Sequence, residues 1–126
     1  MEIEWNMQKH DIYERVTNFA VRVIKFSEKL SRGFSGKIIA KQLVRAATSV
    51  GANLQEADGA ISRNDFVNKS GIARKEAQES RYWLNLIGKS ELVQNRENLS
   101  ELNWLHNESD EIAKILSSII NKARKQ

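Results

Sequence analysis

The side chains best suited to chemistry form a polar row in the segment "RAATSVGANLQEADG", namely Ser49, Asn53 and Glu56. On a helix this row lies beside an apolar face, and Glu56 is its candidate general base, which Asn53 and Ser49 would orient. With Glu79 it is the only basis for an enzymatic interpretation. Such a site also needs a pocket, a second acid or nucleophile, and a cofactor or metal, and the sequence indicates none of these. We therefore do not expect an enzyme.

A structural role for the same polar row is favoured instead. Buried amides and carboxylates need hydrogen-bond partners, so a satisfied row between two helices would fix their register. The candidate donors are three cations of the next helical segment, Lys69, Arg74 and Arg81. We expect Ser49, Asn53 and Glu56 to form such a structural polar seam.

Composition argues against a metal site, a cofactor and a membrane span. The chain has no cysteine and only two histidines, His10 and His106, which lie far apart in the sequence. No apolar run approaches the ~18 residues of a membrane span, and the N-terminal "MEIEWNMQKH" lacks the apolar core of a signal peptide. We expect a cytoplasmic protein with neither metal nor cofactor.

Positive charge is concentrated in the first half of the chain. Residues 15–54 contain eight lysines and arginines but one acid, Glu28. Helical spacing arranges seven of these cations in two rows, which antiparallel packing would bring onto neighbouring surfaces. A patch of this kind attracts phosphate groups and predicts nucleic-acid binding, although solvated helix surfaces are also commonly basic. The candidate contacts are Arg15, Arg22, Lys25 and Lys29 in the first row, and Lys37, Lys41 and Arg45 in the second.

Four periodic segments must position these residues. Apolar residues recur at spacings of three and four in each, which predicts an all-α fold: a single domain over residues 1–126, built as an antiparallel up-down-up-down four-helix bundle. Ser35 and Ser62 are candidate N-caps of the second and third helices, and Gly59 is a candidate stop for the second. The predicted helices span about 8–31, 36–58, 63–92 and 100–124.

Apolar residues outside the predicted core face indicate a subunit interface. Ile72, Trp83 and Leu86 lie to one side of that face on the third helix. Large apolar patches that a bundle leaves uncovered usually mark interfaces, so we expect a homo-oligomer in which these residues form the contact. The alternative is that Trp83 and Trp104 cover the ends of the core.

The segment "RAATSVGANLQEADGAISRNDFVNKSGIARKEAQESRYWLNLI" resembles the signature region of the four-helix-bundle proteins encoded in 23S rRNA intervening sequences. It is also similar to the accessory variability proteins of diversity-generating retroelements. The resemblance implies a ring-like homopentamer with a basic surface suited to nucleic acid and, in the retroelement relatives, a bundle that engages a reverse transcriptase. Seven positions match the family pattern, and we assign them first to maintaining the fold: Arg45, Ser49, Asn53, Glu56, Asp65, Phe66 and Glu79.

Together these features predict a non-enzymatic, oligomeric accessory protein that binds RNA or DNA through a basic helical surface. The alternative is a protein–protein interaction scaffold, for example for a reverse transcriptase, whose basic patch faces an acidic partner without binding nucleic acid.

Overall fold

Four α-helices make up almost all of the chain. The computed structural model describes the backbone of residues 2–30 and 32–125 and the side chains of 11–30 and 32–125, and this part contains no strand. Across the described residues, no helix is long and apolar enough to span a membrane. The all-α prediction is confirmed. The helices are α1 (Glu2–Ser27), α2 (Phe34–Asp58), α3 (Arg63–Lys89) and α4 (Arg96–Lys125).

The helices form a four-helix bundle in which each packs against two neighbours. α1 packs against α2 and α4, and α3 packs against α2 and α4, so α1 lies diagonally opposite α3. Partner residues run in opposite directions along the two helices of each adjacent pair, so the neighbours are antiparallel. The side-chain pairs that show this are Arg15–Glu108 with Arg22–Glu101, Arg45–Glu76 with Lys69–Glu56, and Arg74–Ser117 with Arg81–Asp110, while Tyr13 of α1 reaches Leu54 near the end of α2.

The core is made by the apolar faces that the periodicity predicts. The apolar residues of the first segment that recur at spacings of three and four are all buried: Ile12, Val16, Phe19, Val23 and Phe26 on α1, and Leu30 just after it. On α3 the buried face consists largely of small side chains, since Ser70, Ala73, Ala77 and Ser80 are all fully buried. Small side chains let the backbones of neighbouring helices approach closely, which explains why this face is covered although it contributes little side-chain volume.

Tyr13 connects α1 to α2 through a polar contact at the edge of the core. Its hydroxyl donates a hydrogen bond of 2.7 Å to the carbonyl oxygen of Leu54. Burial of the phenol, with the charge of Asp58 as the second cause, raises the pKa of Tyr13 to about 12. The hydroxyl therefore remains a neutral donor at any ordinary pH.

Two of the predicted caps are confirmed and one is wrong. Ser62 caps α3, its hydroxyl accepting from the backbone N–H of Asp65 at 3.1 Å, and Gly59 follows the last residue of α2. The residue before α2, however, is Gly33 in an extended conformation, so Ser35 lies inside the helix. α2 therefore begins at Phe34, two residues earlier than predicted.

The connection between α3 and α4 is shorter than predicted. α3 ends at Lys89 rather than near residue 92, and Glu91 has a positive φ of 57° that turns the chain. α4 begins at Arg96 rather than near residue 100, because the Asn95 side chain accepts a hydrogen bond of 2.7 Å from the N–H of Asn98. α1 also differs from the prediction, starting at Glu2 and ending at Ser27; Ser31, its last predicted residue, lies outside the described residues.

Candidate nucleic-acid interface

Two arginines of the predicted basic row on α1 bind carboxylates of α4. Arg15 donates from Nε and Nη2 to the two oxygens of Glu108, at 3.1 and 2.6 Å. Arg22 forms the same paired contact with Glu101, at 2.9 and 2.5 Å. The hydrogen bond to the carboxylate raises the pKa of each arginine, and the bond from Arg22 lowers the pKa of Glu101. These guanidinium groups therefore join α1 to α4.

Arg22 also covers an aromatic ring. Its guanidinium carbon lies 3.4 Å from the ring centroid of Trp104, a half-buried residue that packs against the core. A cation over a tryptophan face is stabilised by the ring quadrupole, by ~0.5–1 kcal/mol at exposed sites and more when desolvated. Arg22 is thus held by Glu101 on one side and by Trp104 on the other.

The arginine of the second row, Arg45, is held in the same way between α2 and α3. Its guanidinium group forms ion pairs with Glu76, at 3.3 Å, and with Glu79. Glu79 also accepts a hydrogen bond of 3.1 Å from the indole N–H of Trp83. This network ties the Arg45 and Glu79 positions of the family pattern to each other.

The four lysines of the two rows differ from the three arginines in their surroundings. Lys25, Lys29, Lys37 and Lys41 are all exposed, and none of their ammonium groups forms an ion pair with another described residue. They lie at one end of the bundle, because the last turns of α1 and the first turns of α2 are joined by residues 28–33. We call these four residues the lysine surface.

A groove opens beside the lysine surface, between the end of α1 and the start of α4. Its volume is about 630 Å³. It is lined by Lys25 at the end of α1, by Lys29 in the turn that follows, and by four residues of α4: Arg96, Glu97, Ser100 and Glu101. Lys29 is close enough to Glu101 for its charge to contribute to the lowered pKa of that carboxyl. We call this feature the α1–α4 groove.

The polar row on α2 is only partly directed towards another helix. Glu56 accepts a hydrogen bond of 3.2 Å at Oε1 from the ammonium group of Lys69 on α3, one of the three predicted donors. Asn53 donates to the carbonyl oxygen of Ser49 at 2.9 Å, within its own helix. The other two predicted donors, Arg74 and Arg81, reach Ser117 and Asp110 on α4. The polar contacts between α2 and α3 are therefore made chiefly by charged pairs.

The predicted interface residues lie on the outer side of α3. Ile72 is 40% exposed, and Trp83 and Leu86 are half-buried. Trp83 also packs against the core, so it contributes to the bundle itself as well as to the surface.

Arg96 is the cation of this region that sequence reasoning missed. The predicted third and fourth helices leave residues 93–99 as a connection, which gives Arg96 no defined position. The Asn95–Asn98 spacing within it is a helix-capping signal, since asparagine at an N-cap accepts from the N–H three residues later. Recognising that cap places Arg96 in the first turn of α4, beside the end of α1.

Known proteins share both the sequence pattern and the fold. A family model described as 23S rRNA-intervening sequence protein matches residues 8–118. The fold is similar to the crystal structure of a protein of unknown function from the S23 ribosomal protein family of Bacteroides thetaiotaomicron, with a TM-score of 0.77 and 40% sequence identity. That match covers 86% of this chain and 97% of the other. No curated protein matches the chain.

Proposed function

Because the chain belongs to the family of 23S rRNA-intervening sequence proteins, we propose that it is a non-enzymatic, oligomeric accessory protein of the cytoplasm that binds RNA or DNA through phosphate contacts. The observation that supports this most is the lysine surface, in which four exposed ammonium groups lie at one end of the bundle without carboxylate partners among the described residues. The reference to 23S rRNA in the family description supports RNA as the first ligand to test.

The lysines, rather than the arginines, are the proposed phosphate contacts. Arg15 and Arg22 already donate two hydrogen bonds each to a carboxylate, so a phosphate would have to displace Glu108 or Glu101 to reach them. Arg45 is similarly occupied by Glu76 and Glu79. A free ammonium needs no such exchange, and each phosphate that it neutralises releases condensed counterions.

Removing the lysine surface tests this proposal. For the variant with Lys25, Lys29, Lys37 and Lys41 all changed to glutamine, we expect about a hundredfold loss of affinity for structured RNA at low salt. We also expect the slope of log K against log salt to become shallower by about 3, since each lost contact accounts for ~0.7–0.9. The measurement is fluorescence anisotropy across a salt series, with single-stranded and duplex DNA as further ligands.

A matched control removes the same net charge elsewhere. Four exposed cations of α3 and of the end of α4 serve for this, changed to glutamine: Lys75, Lys122, Arg124 and Lys125. This variant should retain nearly all of the wild-type affinity. Equal losses in the two variants would mean that binding follows net charge alone, which contradicts the proposed surface.

The proposed assembly is a homo-oligomer, in the pentameric form that the family resemblance implies. It is supported by three apolar residues of α3 that the bundle leaves at least partly uncovered, Ile72, Trp83 and Leu86. A symmetric assembly would repeat the lysine surface and increase avidity for a long strand without new contacts.

Changing Ile72 to glutamate tests the interface. A charge in an apolar contact is costly to bury, so we expect the mass measured by light scattering to fall towards the 14.4 kDa of one chain. Ile72 is preferable to Trp83, whose removal would also disturb the core. Gln78→Glu, an exposed change on the same helix, should leave the mass unchanged. If Ile72→Glu keeps its helical circular dichroism and the wild-type mass, the interface lies elsewhere.

A second candidate function is a protein-interaction scaffold whose basic patch faces an acidic protein surface. It is supported by the strong exposure of apolar side chains, 83% for Phe34 and 95% for Ile61. The resemblance to accessory variability proteins makes a reverse transcriptase one such partner. Capture of the same partner by the purified protein before and after nuclease treatment would favour this function over nucleic-acid binding.

A further inference from the structure

The α1–α4 groove combines three cations that are distant in the sequence. Lys25 comes from the last turn of α1, Lys29 from the turn that follows that helix, and Arg96 from the first turn of α4. None of the three forms an ion pair with another described residue. Like charges that line one groove repel one another, so a bound anion would relieve that repulsion.

The two acids of the groove do not cancel this charge. Glu101 is neutralised by its paired contact with Arg22, which lies at the border between the same two helices. Only Glu97 remains to oppose the three cations. The groove therefore carries a local excess of positive charge that does not depend on the net charge of the protein.

The chemistry of the groove suits a phosphate group. The planar guanidinium group of Arg96 can donate two parallel hydrogen bonds to a phosphate, the lysines act as point charges, and the hydroxyl of Ser100 can donate another. At about 630 Å³ the groove falls within the ~300–1,000 Å³ range of ligand pockets, which leaves room for the sugar beside the phosphate. Phe26 lines the groove but is only 1% exposed, so no ring face is available there for a base to stack on.

We propose that the α1–α4 groove binds one phosphate group of a bound nucleic-acid strand, with Arg96 and Lys29 as its principal contacts. We call this phosphate-binding position the seat. This inference rests on the proposed function and adds a discrete position, contributed partly by α4, to the lysine surface. Because the contacts are to phosphate alone, binding at this seat is independent of base sequence.

Arg96→Gln is the test, since Arg96 does not belong to the lysine surface. With a short 5′-phosphorylated RNA oligonucleotide, we expect about a tenfold loss of affinity at low salt and a salt slope shallower by about 0.7, the value of one single-strand contact. The matched control is Arg63→Gln, which removes an exposed arginine from the first position of α3 as Arg96→Gln does from α4. It should change the affinity by less than twofold.

Glu97→Gln provides a test of opposite sign. Removing the remaining acid of the groove should strengthen binding, by about threefold at low salt, and the gain should disappear when Arg96 is also glutamine. Repeating the titrations with the 5′-hydroxyl oligonucleotide identifies the source of the phosphate. Equal affinities indicate an internal phosphodiester, and a preference for the 5′-phosphate that Arg96→Gln abolishes indicates the terminal group; both support the seat.

The outcomes separate this inference from the proposed function. If Arg96→Gln binds like the wild type while the fourfold lysine variant loses affinity, the seat is wrong and the lysine surface stands. If Arg96→Gln and Arg63→Gln weaken binding equally, the seat is again wrong. If no variant changes the affinity, both proposals fail.

Discussion

Replacing Gly36 by alanine is expected to lower the free energy of unfolding by about 3 kcal/mol. A Cβ atom at this position would lie 1.8 Å from the carbonyl oxygen of Leu30 and 3.0 Å from its carbonyl carbon. Both are backbone atoms, so no side-chain rotation can relieve the overlap. Leu30 is itself buried, and its N–H donates to the carbonyl oxygen of Ser27 at 3.0 Å. The start of α2 would have to move away from the end of α1.

Gly71→Ala is the matched control for that substitution. Gly71 lies in the middle of α3, and a Cβ atom there would meet nothing within 4 Å. Alanine favours a helix by ~1 kcal/mol relative to glycine, so this change should stabilise the protein by up to that amount. The measurement is the urea midpoint of unfolding at unchanged m-value. A Gly36→Ala midpoint equal to that of the wild type would show that α2 does not approach Leu30 so closely.

Phe19→Ala is expected to cost about 3–5 kcal/mol of unfolding free energy. Phe19 is 0% exposed and lies in the middle of the buried face of α1. Truncation removes its apolar transfer energy and leaves a cavity that the packed helices can fill only partly. A loss of this size should lower the midpoint of thermal unfolding by roughly 10–25 °C, which circular dichroism would measure.

Phe34→Ala makes the same chemical change at a position that is 83% exposed. It should shift the unfolding free energy by no more than about 0.5 kcal/mol, as surface substitutions commonly do. The pair separates burial from residue type, because both are phenylalanines on helices. Equal destabilisation by the two substitutions would contradict the assigned core.

The sequence alone determined the helices and their inward faces. An apolar residue every three or four positions is a local property of the chain, and burying that face is the main gain available to an amphipathic helix. For this reason the spacing of apolar residues predicts the buried face of α1, from Ile12 to Phe26, without any knowledge of how the helices pack. The family was recognisable because its signature lies in one continuous segment.

Helix ends were less predictable, since they depend on a few local hydrogen bonds. Ser62 could be predicted as a cap because its hydroxyl and the N–H of Asp65, from which it accepts, are only three positions apart in the sequence. The start of α2 could not be predicted from such a local signal, because it depends on how closely Gly36 approaches the backbone of Leu30 across the connection between α1 and α2.

The tertiary structure alone decided which cations remain available. Arg15, Arg22, Lys25 and Lys29 belong to one row in the sequence pattern, yet the two arginines form ion pairs with carboxylates of α4 whereas the two lysines form none with the described residues. That division depends on the register between α1 and α4, whose partners lie 93 and 79 positions apart in the chain. The same register brings Arg96 beside Lys29. Periodicity specifies which face of a helix is buried, whereas the partner of a surface charge is specified only when two helices pack.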